Sequence, residues 1–161
     1  MTTGTFNVVI GHETGSGITT GDYNTCIGDR AGRLLGAGAE NVLIGHQAGY
    51  NTTTGNYNTC IGFKTLFGTN TGASFNTSLG FAALNASAQS YSTAIGGYSM
   101  HYATSAERSC AVGYQSLFAL TTGSNNTAVG HQAIFAVTTG SNNTAVGRNA
   151  GDSVTTGANN T

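Results

Sequence analysis

A glycine returns nine times along this chain at an almost constant interval, at Gly11, Gly28, Gly45, Gly62, Gly80, Gly96, Gly113, Gly130 and Gly147. The steps are 17, 17, 17, 18, 16, 17, 17 and 17 residues, so the long and short steps cancel and the ninth copy is back in phase. A fixed period of this size is the mark of small units that cannot bury a core alone and must stack. It predicts a single repeat domain over 1–161, shaped as a shaft or surface with no deep pocket.

Each repeat carries its own strand signal. The residue before the glycine is Ile10, Ile27, Ile44, Ile61, Leu79, Ile95, Val112, Val129 or Val146, aliphatic in all nine copies. Two positions earlier the residue is mostly β-branched (Val8, Thr25, Val42, Thr59, Thr77, Thr93, Thr127, Thr144), with Cys110 the exception. Period-two alternation before a glycine reads as a short strand with one face inward. The aliphatics are therefore the expected structural core. The residue between them is small (Ala94, Ala111, Ala128, Ala145, with Cys26 and Cys60) and is expected to meet a neighbouring chain. A second short strand is expected after the glycine, in segments such as His46-Gln47-Ala48 and Tyr114-Gln115-Ser116. A return loop follows, marked by Thr-Thr-Gly at 19–21, 53–55, 121–123, 138–140 and 155–157. The residue four before the glycine is Asn in seven of nine copies, replaced by Ser92 and Ser109. Such a column is expected to form a ladder that satisfies turn backbone groups.

The fold class expected is all-β, a parallel β-solenoid of nine coils of about 17 residues. One coil orders its backbone at about 1–2 kcal/mol per residue and has little apolar surface to offset that. Burial against other copies of the chain, as an intertwined or packed homotrimer, is the expected remedy.

Composition narrows the function. Only 7% of residues are charged and the net charge is −1, so nothing provides the basic footprint of a nucleic-acid binder. No run approaches the roughly 20 apolar residues of a membrane helix, and Met1–Phe6 does not read as a secretory signal. Cys26 and Cys60 share a phase two coils apart, about 10 Å at ~4.8 Å per strand, beyond disulfide reach. They are expected to be small buried thiols. His12, His46 and His131 share the position after the repeat glycine with Asp29, Phe63, Phe81, Gly97, Tyr114 and Arg148, a column tolerant enough to face solvent. No carboxylate partner or metal-ligand spacing is evident beside the histidines. No catalytic set, metal site or cofactor site is expected, so the chain is not read as an enzyme.

The wording Thr-Thr-Gly-Ser-Asn-Asn-Thr-Ala-Val-Gly-His-Gln-Ala at 121–133, nearly repeated at 138–149, resembles repeats of bacteriophage tail fibres. The Asn-(Ser/Thr)-x-Ala-Ile-Gly pattern is similar to the head β-roll of trimeric autotransporter (YadA-like) adhesins, whose repeat is shorter. The resemblance implies a left-handed β-roll, a homotrimer, and a structural or adhesive fibre of a virion that spaces or presents host-attachment elements. Other fibre or virion proteins and a host-surface glycan or protein are the partners it implies, with no membrane insertion. Assembly would occur in the host cytoplasm, and the chain is expected to be a section of a longer fibre. A bacterial surface adhesin head is the alternative, and an ice-binding solenoid a third reading, weakened because the threonines of Thr19-Thr20-Gly21 are adjacent in a turn-rich loop, where an ice face would want Thr-x-Thr on one strand. Two aromatic columns stand out: Phe6, Tyr23, Tyr57, Phe75 and Tyr91, interrupted by Glu40, and Tyr50, Phe67, Phe118 and Phe135. Tyr23, Tyr57, Phe75 and Tyr91 are the candidate receptor contacts, although stacking between coils also explains them.

Overall fold

The computed structural model describes residues 3–69, 71–86 and 90–161; Met1 and Thr2, which open the repeat domain expected over 1–161, lie outside them. The chain is an all-β parallel β-solenoid. Its strands are β1 (Val8–Ile10), β2 (Thr25–Ile27), β3 (Val42–Ile44), β4 (Thr59–Ile61), β5 (Thr77–Leu79), β6 (Thr93–Ile95), β7 (Cys110–Val112), β8 (Thr127–Val129) and β9 (Thr144–Val146), one per coil. They form one parallel sheet in chain order. The register is constant, from Ile10↔Ile27 to Val129↔Val146. The irregular steps leave it intact, since Thr59 pairs with Thr77 and Thr77 with Thr93. Coil 4 has one residue more between Gly68 and Ser74, and coil 5 one fewer between Ala86 and Ser90, than the other coils. Among the described residues no helix is long and apolar enough to cross a membrane.

The strand faces are the reverse of the expectation. The middle residue points into the coil: Cys26, Leu43, Cys60, Ser78, Ala94, Ala111 and Ala128 are all fully buried. The expected core aliphatics, Ile10, Ile27, Ile44, Ile61, Leu79, Ile95, Val112, Val129 and Val146, point outward and are half-buried or exposed. Even in mid-stack Ile61 is 36% and Leu79 44% exposed. Alternation places the first and third strand residues on one side and the second on the other, but it does not say which side is inside. Coil width decides. The opposite wall lies so close that only a small or carefully matched side chain fits between, and the bulky aliphatics are left outside.

The matching is visible coil by coil. Four residues after the repeat glycine stands a second inward position. Where the strand contributes Leu43, this position is Gly49; a Cβ there would lie 2.6 Å from Leu43 Cδ2. Where the strand contributes only Ala94, Ala111 or Ala128, the position is Met100, Leu117 or Ile134, each fully buried. Together with Ile18, Leu35, Leu120 and Val137 from the return, these residues make one continuous core along the stack. Packing at this density requires volume on one wall to be removed from the other.

The segment after the glycine is not a second strand. It runs as turns in which every other residue has positive φ, as at Gln115 (55°) and Leu117 (50°). Its amides still bridge coils, as in Gln115 N–H to the Gly97 carbonyl at 2.9 Å and Leu117 N–H to Ala133 at 3.1 Å. The small residue between them is buried (Ala31, Ala48, Ser116, Ala133). The repeat glycine itself holds φ between 124° and 138° in all nine coils, a conformation reserved for glycine.

Candidate functional site

The asparagine column is structural. Asn24, Asn41, Asn58, Asn126 and Asn143 are buried. Each Oδ1 accepts from the next coil; Asn41 Oδ1, for example, takes the Asn58 N–H at 2.9 Å and its Nδ2 at 3.0 Å. Each Nδ2 also donates to a return-loop carbonyl, Asn41 to Gly55 at 2.9 Å and Asn126 to Gly140 at 2.8 Å. Ser92 and Ser109 carry the chain through with their hydroxyls, Ser92 Oγ accepting Ser109 N–H at 3.3 Å and Ser109 Oγ accepting Asn126 N–H at 3.2 Å. The column satisfies buried backbone groups that no strand reaches.

Outward, the coils present ring ladders. Tyr57, Phe75 and Tyr91 stack at 4.7 and 5.2 Å with interplanar angles of 17° and 5°. Phe6 and Tyr23 stack separately at 5.0 Å. Tyr23, Tyr57, Phe75 and Tyr91 are 48–59% exposed. Their ring faces are turned toward one another along the stack, so a ladder offers edges to a partner and a free face only where it is broken. Phe118 and Phe135 stack at 5.2 Å, Tyr50 and Phe67 pack at 5.4 Å, and Phe63 and Phe81 stack at 4.8 Å.

All of the first ladder stands on strained backbone. Phe6, Tyr23, Glu40, Tyr57, Phe75, Tyr91 and Arg108 have φ of 53–60°, and later coils fill the same position with Asn125, Asn142 and Asn159. Asparagine tolerates this region well, whereas other side chains cost about 1–2 kcal/mol there.

The histidine column faces solvent as expected, with His12, His46 and His131 exposed. Two of its members do have a carboxylate: Asp29 lies between His12 at 2.8 Å and His46 at 3.0 Å, one coil from each. Spacing in the chain concealed the partnership, because a step of 17 residues is a single neighbour in the stack. Arg30 and Arg33 both reach Glu13, at 2.7 and 3.2 Å. Asp22 lies apart from these and accepts from Thr5. Among the described residues no group of three His, Cys, Asp or Glu could hold a metal ion.

The hydrogen bond from Arg30 holds Glu13 below its ordinary pKa, and the one from His12 does the same for Asp29. A depressed carboxylate stabilises above its unfolded pKa, and that stabilisation is lost as pH falls through the folded value. Acidification below about pH 4, the ordinary carboxylate range, is therefore expected to loosen coils 1 to 3. Amide exchange at Arg30 and Gln47 should rise there while Gln132 stays unchanged, since coils 4 to 8 carry no carboxylate in these columns.

All three cysteines are free. Burial pushes Cys26 and Cys60 up to about 12, while Cys110 is only half-buried in the outward strand column. A concavity of about 430 Å³ at the end of the stack, lined by residues including Ile134, Ala145, Gly151 and Val154, has no acidic, basic or thiol side chain in its wall. Compared with known proteins, the chain matches no family model, no curated protein and no solved structure.

The remaining feature is the outer face of the sheet. Two side chains from each of nine strands point out, in one column of Thr, Val and Cys110 and one of Ile, Leu and Val. No strand residue is charged. The sequence contained this face, but read it as the interior.

Proposed function

We propose that this chain is a structural section of a homotrimeric fibre, associated through the outer face of its sheet, and that the fibre is a virion tail or capsid fibre presenting host-attachment elements. The observation that supports association is that face: uncharged and in register, with an aliphatic column along the whole stack beside a column of Thr, Val and Cys110. Contiguous apolar patches of this kind on soluble proteins are interaction sites. The face offers eighteen side chains per chain, close to the roughly 20–30 a side of a stable interface. The virion role rests on the resemblance of the 121–149 wording to tail-fibre repeats; a bacterial surface adhesin head uses the same physical argument. Other fibre proteins and a host-surface glycan or protein are the partners this reading requires. The role is mechanical and adhesive, with avidity from three copies, and uses no cofactor.

Light scattering tests it: the expected mass is three times the 16.2 kDa chain. Ile61→Asp is expected to bring the mass down to one chain while the β-type circular dichroism persists, because the new charge faces out of the coil. Cys110 should then react with a thiol reagent that the native assembly excludes, with Cys26 and Cys60 silent in both. An unchanged mass would remove the face from the interface, and loss of folding would return Ile61 to the core.

A second reading has one specific support. Thr25, Thr59, Thr77, Thr93, Thr127 and Thr144 recur in one outward column, interrupted by Val42 and Cys110, and an ice-binding face uses such threonines. The neighbouring column is aliphatic, which favours chain association. A monomeric mass together with thermal hysteresis would reverse that preference.

A further inference from the structure

We propose that the break in the first aromatic ladder, at Tyr23, Glu40 and Tyr57, is a recognition site for a planar organic cation, an arginine guanidinium presented by a partner polypeptide. Tyr23 stacks on Phe6 on one side and Tyr57 on Phe75 on the other. Between them lies a single layer, so the two tyrosines stand two strand spacings apart, about 9.6 Å, and among the described residues no other ring covers the faces that look into the gap. That layer belongs to Glu40, which is exposed. Its amide is bonded to the Asp22 carbonyl at 2.9 Å, but among the described residues its carboxylate has no hydrogen-bond or ion-pair partner. The Asp22 carboxylate is engaged by the preceding coil, accepting the Thr5 N–H at 2.6 Å and hydroxyl at 2.9 Å, so Glu40 is the carboxylate of the gap.

One coil spacing suits a guanidinium against a tyrosine ring, and the chain uses that fit twice on its own account. Arg108 sits over Tyr91, 5.8 Å from the ring centroid and in the same column as Glu40. Arg33 sits over Tyr50 at 5.6 Å. Arg30 pairs with Glu13 across one coil at 2.7 Å. A guanidinium paired with Glu40 lies in the layer of the carboxylate, with a ring above and a ring below. The planar fork satisfies the carboxylate in two hydrogen bonds and its faces meet the π-systems, which a compact ammonium cannot do at once.

The backbone of this column is strained in every coil from Phe6 to Arg108. Tyr23, Glu40 and Tyr57 hold φ of 57–58°, where Asn125 and Asn142 hold 58–59° without the same cost. The three are kept against local backbone preference, and none of them completes the buried core.

The natural coils supply the test variant. Glu40→Asn places at this corner the residue that coils 8 and 9 already use, so the stack is expected to keep or gain thermal stability while the charge is lost. The probe is N-acetyl-arginine methylamide, titrated into the intact protein and followed by ring and side-chain NMR shifts, beside the matched lysine compound and tetramethylammonium. Shifts confined to Tyr23, Glu40 and Tyr57 are expected. Lysine should bind about tenfold more weakly, a loss of one charge-assisted hydrogen bond's order. Glu40→Asn and Tyr57→Asn should each weaken arginine by about tenfold or more, and Glu107→Gln should change nothing. Equal binding of lysine, tighter binding of tetramethylammonium, an unaltered affinity in Glu40→Asn, or no shifts with arginine at all would each overturn the assignment.

Discussion

Gly96→Ala is expected to lower the melting temperature by about 10–20 °C, the shift that roughly 4–5 kcal/mol produces in a chain of this size. The position has φ of 126°, and a Cβ there would stand 2.5 Å from the Gly113 carbonyl oxygen and 2.6 Å from its carbon. Both are backbone atoms of the next coil, fixed by the strand pairing on either side of them, so no rotamer change relieves the contact. Gly147→Ala separates the two penalties. Its φ is 132°, but the nearest atom to its Cβ is Ala150 Cβ at 3.7 Å. Only the dihedral cost, about 1–2 kcal/mol, should appear, and the melting temperature should move by about 2–8 °C. Equal shifts in the two variants would mean that coil-to-coil contact does not set the glycine column.

Ala128→Leu is expected to destabilise by about 1–3 kcal/mol through overpacking, and Ile134→Gly by about 2–5 kcal/mol through the cavity it leaves. Combined, they should nearly cancel. The double variant rebuilds in coil 8 the pair that coil 3 uses, Leu43 opposite Gly49, and Ile134 already has φ of 46°, where glycine is at ease. A double-mutant cycle by thermal unfolding reads this as a coupling of opposite sign to the single losses. Additive losses would show that the two inward walls are packed independently. If Ala128→Leu instead changed only the mass of the particle, the small column would face a neighbouring chain after all.

Period, strand position and register were legible from the chain alone. The repeat glycines mark nine coils, the triplet before each is a strand, and the asparagine column is a ladder; every one of these follows from local patterning that repeats without exception or nearly so. The buried thiols at Cys26 and Cys60 were legible for the same reason. Two kinds of statement were not. The first is which side of a three-residue strand is inside. Ile61 and Cys60 differ by one position, and alternation assigns them to opposite faces without naming either as the interior. The thin coil names it, because the facing wall is so close that a Cβ at Gly32 or Gly49 would stand 2.9 Å from Cys26 or 2.6 Å from Leu43. The second is adjacency between coils. His12, Asp29 and His46 are far apart in the chain and touching in the stack, as are Tyr91 and Arg108, and Tyr23, Glu40 and Tyr57 acquire a shared geometry only when the coils are laid one upon another. The repeat period, written in the sequence, determined that the chain would stack; the closeness of the walls and the single strand spacing between coils, which exist only in the folded stack, decided which residues fill the core, which form the outer face, and which meet at a candidate site.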